Sequence, residues 1–300
     1  MNKLKLSKKS VEYLFRISCA IMLIGHGWVC LNGKMPLTAL LWDENLMSGI
    51  ITSITGEDWN SWVTSLSVSA GIGKIIKFQG VIFLLSALAV LIKSKNKYLN
   101  SIYIVISINL VFLSTLKYLD NRVGIGNLLE HAAQFCMPLI IFLISKENKI
   151  TKSADLIAKI SIAMAFIFHG LFAINFSHEW IILDHSRPGH FSEMLMRSLG
   201  IKEQSHANLI LIIAGLFDFI AAVLIFTKGK LKKTGLYYML IWGALTAAAR
   251  PWSHFDSYEI MKTLNTWIPE MLYRAPHFMI PLCLILALSK KYDHVKQTSN

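Results

Sequence analysis

Eight apolar stretches punctuate the 300-residue chain, near 11–31, 75–93, 99–118, 128–145, 156–176, 207–227, 234–250 and 269–289. Each is about 17–21 residues long, roughly what a helix needs to cross about 30 Å of hydrocarbon. Lipid offers backbone amides no partners, so segments of this kind can only be helices. The composition agrees. Hydrophobic residues make up 54% of the chain and charged residues 16%, against about a quarter charged in soluble domains. Disorder, collagen, a coiled coil and an ordinary cytosolic enzyme are excluded. An all-α integral membrane protein with eight transmembrane helices is expected.

An even number of spans puts both termini on one side. Lysine and arginine gather in cytoplasmic loops. The N-terminus through Arg16, the turns near 93–97, 146–159 and 228–233, and the tail from 290 hold 19 of the 30 Lys+Arg and 4 of the 18 Asp+Glu. That face carries +15 and the other −3, within a total of +12. Both termini are therefore expected on the cytoplasmic side of a bacterial-type cytoplasmic (inner) membrane. Basic loops such as Lys228, Lys230, Lys232 and Lys233 read as topology signals beside anionic lipid, not as a nucleic-acid surface. The first apolar run ends Cys30-Leu31-Asn32-Gly33-Lys34 with no small-x-small site after it, so it reads as an uncleaved helix.

The chain also repeats itself. Residues 17–32 read ISCAIMLIGHGWVCLN and residues 160–175 read ISIAMAFIFHGLFAIN, an offset of 143 with seven of sixteen positions identical. The identities include His26/His169, Gly27/Gly170 and Asn32/Asn175. The same offset relates Phe135-Cys136-Met137-Pro138-Leu139 to Phe278-Met279-Ile280-Pro281-Leu282, while the middle of each half slips to an offset near 133. The expected organisation is two tandem four-helix bundles, residues 1–148 and 149–300. Four is even, so the bundles should point the same way and be related by a pseudo-two-fold along the membrane normal. Each carries an outer segment after its first helix, 37–70 and 178–206. Phe191, Leu195, Met196 and Leu199 fall at helical spacing and predict an interfacial helix, as do Leu46, Ile50, Ile51 and Ile54 in the first bundle.

At this point the pattern resembles the DoxX-like family of bacterial four-helix membrane proteins, which includes the small subunit of thiosulfate:quinone oxidoreductase. A basic residue early in the first helix and a glycine-rich turn near its outer end are matched by Arg16 and Gly25-His26-Gly27. The second-helix pattern of glycine, acidic residue, small residues and an aliphatic run is matched by Gly215, Asp218, Ala221-Ala222-Val223-Leu224 and then Lys228. The first half departs from it: Leu85 aligns with Asp218, and Gln79 lies two turns earlier. The fourth helices match only in general character. The resemblance covers both halves as a fused tandem, and implies a membrane redox setting without fixing a substrate.

Nine of the ten histidines fall in the outer half or outer loops. Ionisable groups within spans are costly and point to function. These are His26, His169, Asp218, Glu130, His131, Glu270, Arg274 and His277, with Arg250 ending the seventh span before Pro251. Glu270, Arg274 and His277 share a helical face, as do Glu130 and Gln134. Asp218, near mid-membrane, calls for a partner such as Arg250 or Arg274. Each position also has a plain structural role open to it. A histidine beside a glycine can bond a neighbouring helix, and Glu270 with Arg274 can form an intrahelical ion pair. Tryptophans such as Trp28, Trp59, Trp62, Trp180, Trp252 and Trp267 read as interface anchors. His178, His185, His190 and His206 match no metal-ligand spacing and read as solvated. Cys19, Cys30, Cys136 and Cys283 lie in spans without a C-x-x-C pair, which disfavours a thiol-relay quinone reductase. Nucleotide-binding and nucleophile motifs are lacking.

Three functions compete. The first is a DoxX-like component of a quinone-linked redox system, with His26, His169, Asp218 and Glu130 as the catalytic groups. His131, Arg250, Glu270, Arg274 and His277 would bind substrate. Histidine and carboxylate side chains can bond quinone carbonyls and relay protons. A haem b variant would use His26 and His169 as a bis-histidine ligand set; no other metal site is expected. The second is a transporter or binding protein for a small solute or metal, although no span has a Gly/Pro-broken centre. The third is a noncatalytic partner subunit of a periplasmic or membrane enzyme. The lipid bilayer is a partner in all three, and nucleic acid in none.

Overall fold

The computed structural model describes residues 8–93, 96, 100–121, 125–147, 150–174 and 190–297. Asn175, His178, Trp180, His185, Gly124 and the side chains of His190 and His294 lie outside the described residues. All regular structure among them is helical.

Helix α1 (Lys8–Leu31) runs to a group of short helices, α2 (Thr38–Leu41), α3 (Glu44–Thr55) and α4 (Trp59–Thr64). The chain then returns through α5 (Leu66–Leu91). The end of the bundle holding these short helices is the loop end, and the one holding the start of α1 is the terminal end. Next come α6 (Ile102–Asn121), α7 (Gly126–Leu129) and α8 (Ala132–Glu147). The second half repeats the order with α9 (Lys152–Ala173), α10 (His190–Leu199), α11 (Gln204–Leu224), α12 (Gly229–Ser253), α13 (Ile260–Tyr273) and α14 (Ala275–Gln297).

Seven helical segments are long and apolar enough to cross a membrane: Ser10–Leu31, Leu66–Leu91, Ile102–Asp120, Gly126–Lys146, Lys152–Ala173, Gln204–Leu224 and Ile260–Leu288. This is the construction of a multi-pass membrane protein. Helix α12, which contains the expected seventh span, is 25 residues long. Lys230, Lys232 and Lys233 at its start, Tyr237, Tyr238 and Thr246 along it and Arg250 near its end make it less apolar than the other seven.

Packing follows the glycines. Helix α1 lies along α5, and α9 along α11. A Cβ on Gly80 would sit 2.9 Å from the Gly27 carbonyl oxygen, and one on Gly170 would sit 2.9 Å from that of Gly215. Only residues without a side chain let two helices approach this closely. Helix α6 packs on α8, and α12 on α14. Between the halves, α1 lies against α13 and α14, and α9 against α7 and α8. At the first of these contacts a Cβ on Gly25 would meet the Pro269 carbonyl oxygen at 2.7 Å. At the second, one on Gly126 would meet Phe168 Cδ1 at 2.9 Å.

Two apolar segments are interrupted near the loop end. Glu130 and His131 separate α7 from α8, and Arg274 separates α13 from α14. The expectation that these residues sit inside continuous helices is corrected. At each break the ladder tightens to i→i−3 bonds. His131 N donates to Leu128 O (3.3 Å) and Gln134 N to His131 O (2.9 Å); 143 residues on, Arg274 N donates to Met271 O (3.2 Å) and His277 N to Arg274 O (2.9 Å). Pro138 and Pro281 follow, and neither can donate to the carbonyl four residues before it, that of Gln134 or His277.

At the terminal end Arg16 is fully buried. It pairs with Glu12 (2.9 Å) and donates to Val90 O (2.9 Å), Ile92 O (3.0 Å), Tyr103 Oη (2.5 Å) and Ser145 Oγ (2.7 Å). The two carbonyls belong to the last turn of α5 and the residue after it, where helical donors run out. One side chain thus ties α1 to α5, α6 and α8. Lys159 pairs with Asp155 at the corresponding place on α9.

Helix α3 is capped by Asp43, whose carboxylate accepts from Leu46 N, and stops at Gly56 with φ 73°. It leaves Leu46, Ile50 and Ile54 exposed, as an interfacial helix requires. Ile51 is buried against the protein instead of joining that face.

Candidate functional site

The two breaks bring the intramembrane polar residues together. His26, reaching between the tight contacts at Gly25 and Gly27, is 2% exposed. Its Nε2 donates to Gln134 Oε1 at 3.0 Å, and its ring stacks on Tyr273 with centroids 4.9 Å apart and planes within 6°. His131 is held from both sides. Lys117 Nζ donates to its Nε2 at 3.0 Å, and its Nδ1 donates to Asn127 O at 2.8 Å. Those partners assign the tautomer with the proton on Nδ1. The Lys117 ammonium and the Arg274 guanidinium both lie near the Tyr273 ring, 4.3 and 4.9 Å from its centroid.

Glu130 stands between His131, 3.5 Å away, and His169, 3.9 Å away. The His169 ring faces the His277 ring at 5.4 Å, and His277 Nδ1 donates to Arg274 O at 3.1 Å. Glu270 is shared: Arg250 Nε lies 3.3 Å and Arg274 Nη1 3.9 Å from its Oε2. Both are ion pairs without hydrogen-bond alignment, so Arg250 Nε and the Nε and Nη1 of Arg274 lack a hydrogen-bond acceptor among the described residues.

Two cavities flank this cluster. The first, about 270 Å³, is polar; His26, Lys117, Glu130, Glu270 and Arg274 line it, and Lys34 and Asp120 stand at its loop-end side. The second, about 370 Å³, lies among α9, α10, α11 and α12 and is mostly apolar, with walls that include Phe191, Leu195, Trp242 and Leu245. Its charged or ionisable lining groups are His169, Asp218 and Arg250. Glu130 and His169 connect the two cavities through their 3.9 Å contact, as do Glu270 and Arg250 through theirs at 3.3 Å.

Eight of the nine expected residues thus form one connected group: His26, Glu130, His131, His169, Arg250, Glu270, Arg274 and His277. Asp218 joins it only across the apolar cavity. Its expected arginine partner is corrected to Tyr238, whose hydroxyl lies 2.9 Å from Asp218 Oδ1 and 3.0 Å from Ala214 O. His26 and His169 line different cavities, and Tyr273 covers the face of the His26 ring. These two residues do not fit a bis-histidine haem site. His254 and Trp267 stack at 3.6 Å, and Trp28 Nε1 donates to Asn265, so these two tryptophans do more than anchor an interface. Cys19, Cys30 and Cys283 are buried free thiols, and Cys136 is half-buried.

Sequence reasoning missed Lys117, Tyr273 and Tyr238. Lys117 carried a usable signal, a lysine in the last turns of an apolar segment. The tyrosines carried none, since their roles depend on which helix lies opposite. No family model, curated protein or solved structure matches the chain.

Proposed function

We propose that this chain is a DoxX-like membrane component of a quinone-linked redox system. In this reading it is a fused tandem of two four-helix bundles in a bacterial-type cytoplasmic membrane, with α12 as the eighth crossing. The termini are cytoplasmic and the loop end faces outward. The bias of basic residues toward the terminal end supports the orientation. Contacts that recur at an offset of 143 support the pseudo-two-fold. Gly25 against Pro269 is mirrored by Phe168 against Gly126, and both helix breaks fall at equivalent residues.

The apolar cavity carries the functional reading. A quinone needs room for a ring and the start of an apolar tail, with donors at its carbonyls. The cavity among α9–α12 offers apolar walls, and His169 and Arg250 offer donors. Asp218 can exchange a proton with the ring oxygen at the other side. Reduction of a quinone consumes two protons, and oxidation of the quinol returns them. His169 touching Glu130, which lines the polar cavity, gives those protons a path to the loop end. Electrons would come from a partner subunit docked at that face.

Titration of the detergent-purified chain with a short-tailed quinone tests this, read by tryptophan quenching, with Ala249→Trp filling the cavity. Saturable binding that Ala249→Trp abolishes is expected. Equal binding by that variant overturns the reading. The helix breaks favour a second one, transport of a small polar solute, because interrupted helices also line substrate sites in transporters. Solute uptake into proteoliposomes without quinone binding would select it.

A further inference from the structure

We infer that the apolar cavity opens sideways into the bilayer, between α10 and α12, and takes a lipid-borne molecule with its polar head inward and its tail left in the membrane. The inference rests on the quinone reading for the head alone, and narrows the class to quinones with long isoprenoid tails.

The outer wall of the cavity carries the argument. Tyr237, Ile241, Leu245, Ala248 and Trp252 recur at three- and four-residue steps and are all exposed, so they form one stripe along α12. On a membrane helix such a stripe meets lipid, whose tails are as apolar as leucine. Leu245, 56% exposed, Ala248 and Trp252, 72% exposed, also line the cavity, as does the exposed Leu199 of α10. The cavity therefore breaks through the lipid-facing surface of α12. Its inner wall is the reverse. Asp218 and Arg250 are each 1% exposed, and His169 leads on to Glu130. Polar groups lie inward and apolar groups outward, the order of a head and its tail.

Helix α10 covers the loop-end side. Its Phe191, Met194 and Leu195 line the cavity, while Glu193 and Arg197 pair with each other at the surface. Trp252 Nε1 donates to Ser198 O at 3.2 Å and ties α12 to α10, in the manner of an indole at a membrane interface. Toward the terminal end α11 and α12 meet, with Tyr238 Oη 3.0 Å from Ala214 O. Among the described residues, the gap between these two closures runs across Leu245 and Ala248. The volume, about 370 Å³, suits a ring and the first carbons of a tail. The rest of a long tail has to lie outside, and left in hydrocarbon it gives up no apolar burial.

The test uses the full-length chain in phosphatidylcholine nanodiscs, with Ala249→Trp discs as the blank. A radiolabelled short-tailed quinone is bound first, and a quinone with a long isoprenoid tail is then supplied in the lipid. The long-tailed molecule stays in the bilayer, so it reaches the site only through a side opening. Loss of the bound radiolabel is expected. A diazirine on the first unit of the long tail, photolysed and mapped by peptide mass spectrometry, should label residues 245–252 or Leu199. Binding of the short-tailed quinone without displacement overturns the side opening and leaves the quinone reading standing. So does label confined to α2–α4 or α13. No binding of the short-tailed quinone removes the quinone reading itself, and the side opening as its entrance falls with it.

Discussion

His26 donates to Gln134 across 3.0 Å, and the residues 143 positions later, His169 and His277, face each other with ring centroids 5.4 Å apart. The same pair of backbone positions therefore holds a histidine anchored by an amide in one half and two facing histidines in the other. Only the second pair borders the apolar cavity, through His169. This separates the two histidines that look equivalent in the sequence. His169→Ala is expected to abolish binding of a short-tailed quinone, whereas His26→Ala leaves it within about twofold. Quenching titrations on both variants decide the matter, and equal loss in both would show that the cavities act as one.

The glycine crossings should dominate helix assembly. Gly27→Val and Gly170→Val push a side chain into α5 and α11 respectively. Each should cost about 1–3 kcal/mol or more through overpacking. Gly71→Ala on α5, where nothing lies within 4 Å, should be neutral or slightly stabilising because alanine favours the helix. Melting temperatures in one detergent rank the three variants, and a Gly27→Val variant as stable as the parent would refute the close crossing.

Arg16 and Lys159 provide a matched comparison. Arg16 ties four helices together with no exposure, and its loss leaves Glu12 with Lys93 alone, 2.5 Å away. Arg16→Leu should destabilise by about 3–5 kcal/mol, the range for breaking a buried ion pair. Lys159→Leu removes a partly exposed pair, and should cost no more than about 1 kcal/mol. Denaturation of the two variants side by side tests the ratio.

Glu270 is the shared counter-charge of two arginines, so Glu270→Gln should be strongly destabilising, by about 3–5 kcal/mol. Replacing Glu270 and Arg250 together, Glu270→Met with Arg250→Met, should recover only part of that stability, because Arg274 still loses its counter-charge. The double variant should still bind no quinone. Recovery of stability together with quinone binding would remove Arg250 from the proposed site.

The helices were legible in the sequence because crossing a membrane leaves a long apolar signature. The repeat was legible because identities recur at a fixed offset of 143, among them His26/His169 and Gly27/Gly170. Glu130, His131 and Arg274 read in the sequence as candidate site residues inside straight helices. Their breaks come from i→i−3 tightening; at the second, Pro276 follows Arg274 by two residues and cannot donate to the Leu272 carbonyl, whereas no proline lies that close to the first. Asp218 was expected beside an arginine and lies beside Tyr238, because partner choice is decided by the packing of α11 on α12. Helix α12 shows the opposite effect: its apolar centre reads as a span, while the lysines at its start and Arg250 near its end dilute it.

The volumes exchanged at the contacts between the halves have a consequence for ancestry and assembly. Gly25 accepts Pro269, and Phe168 fills the space above Gly126. Two copies of the first half arranged in this way would set Gly25 over Gly126 and leave a hole. Two copies of the second half would press Phe168 into Pro269. At these two contacts each half is shaped for the other and against itself, and side-chain size disfavours the mispaired arrangement.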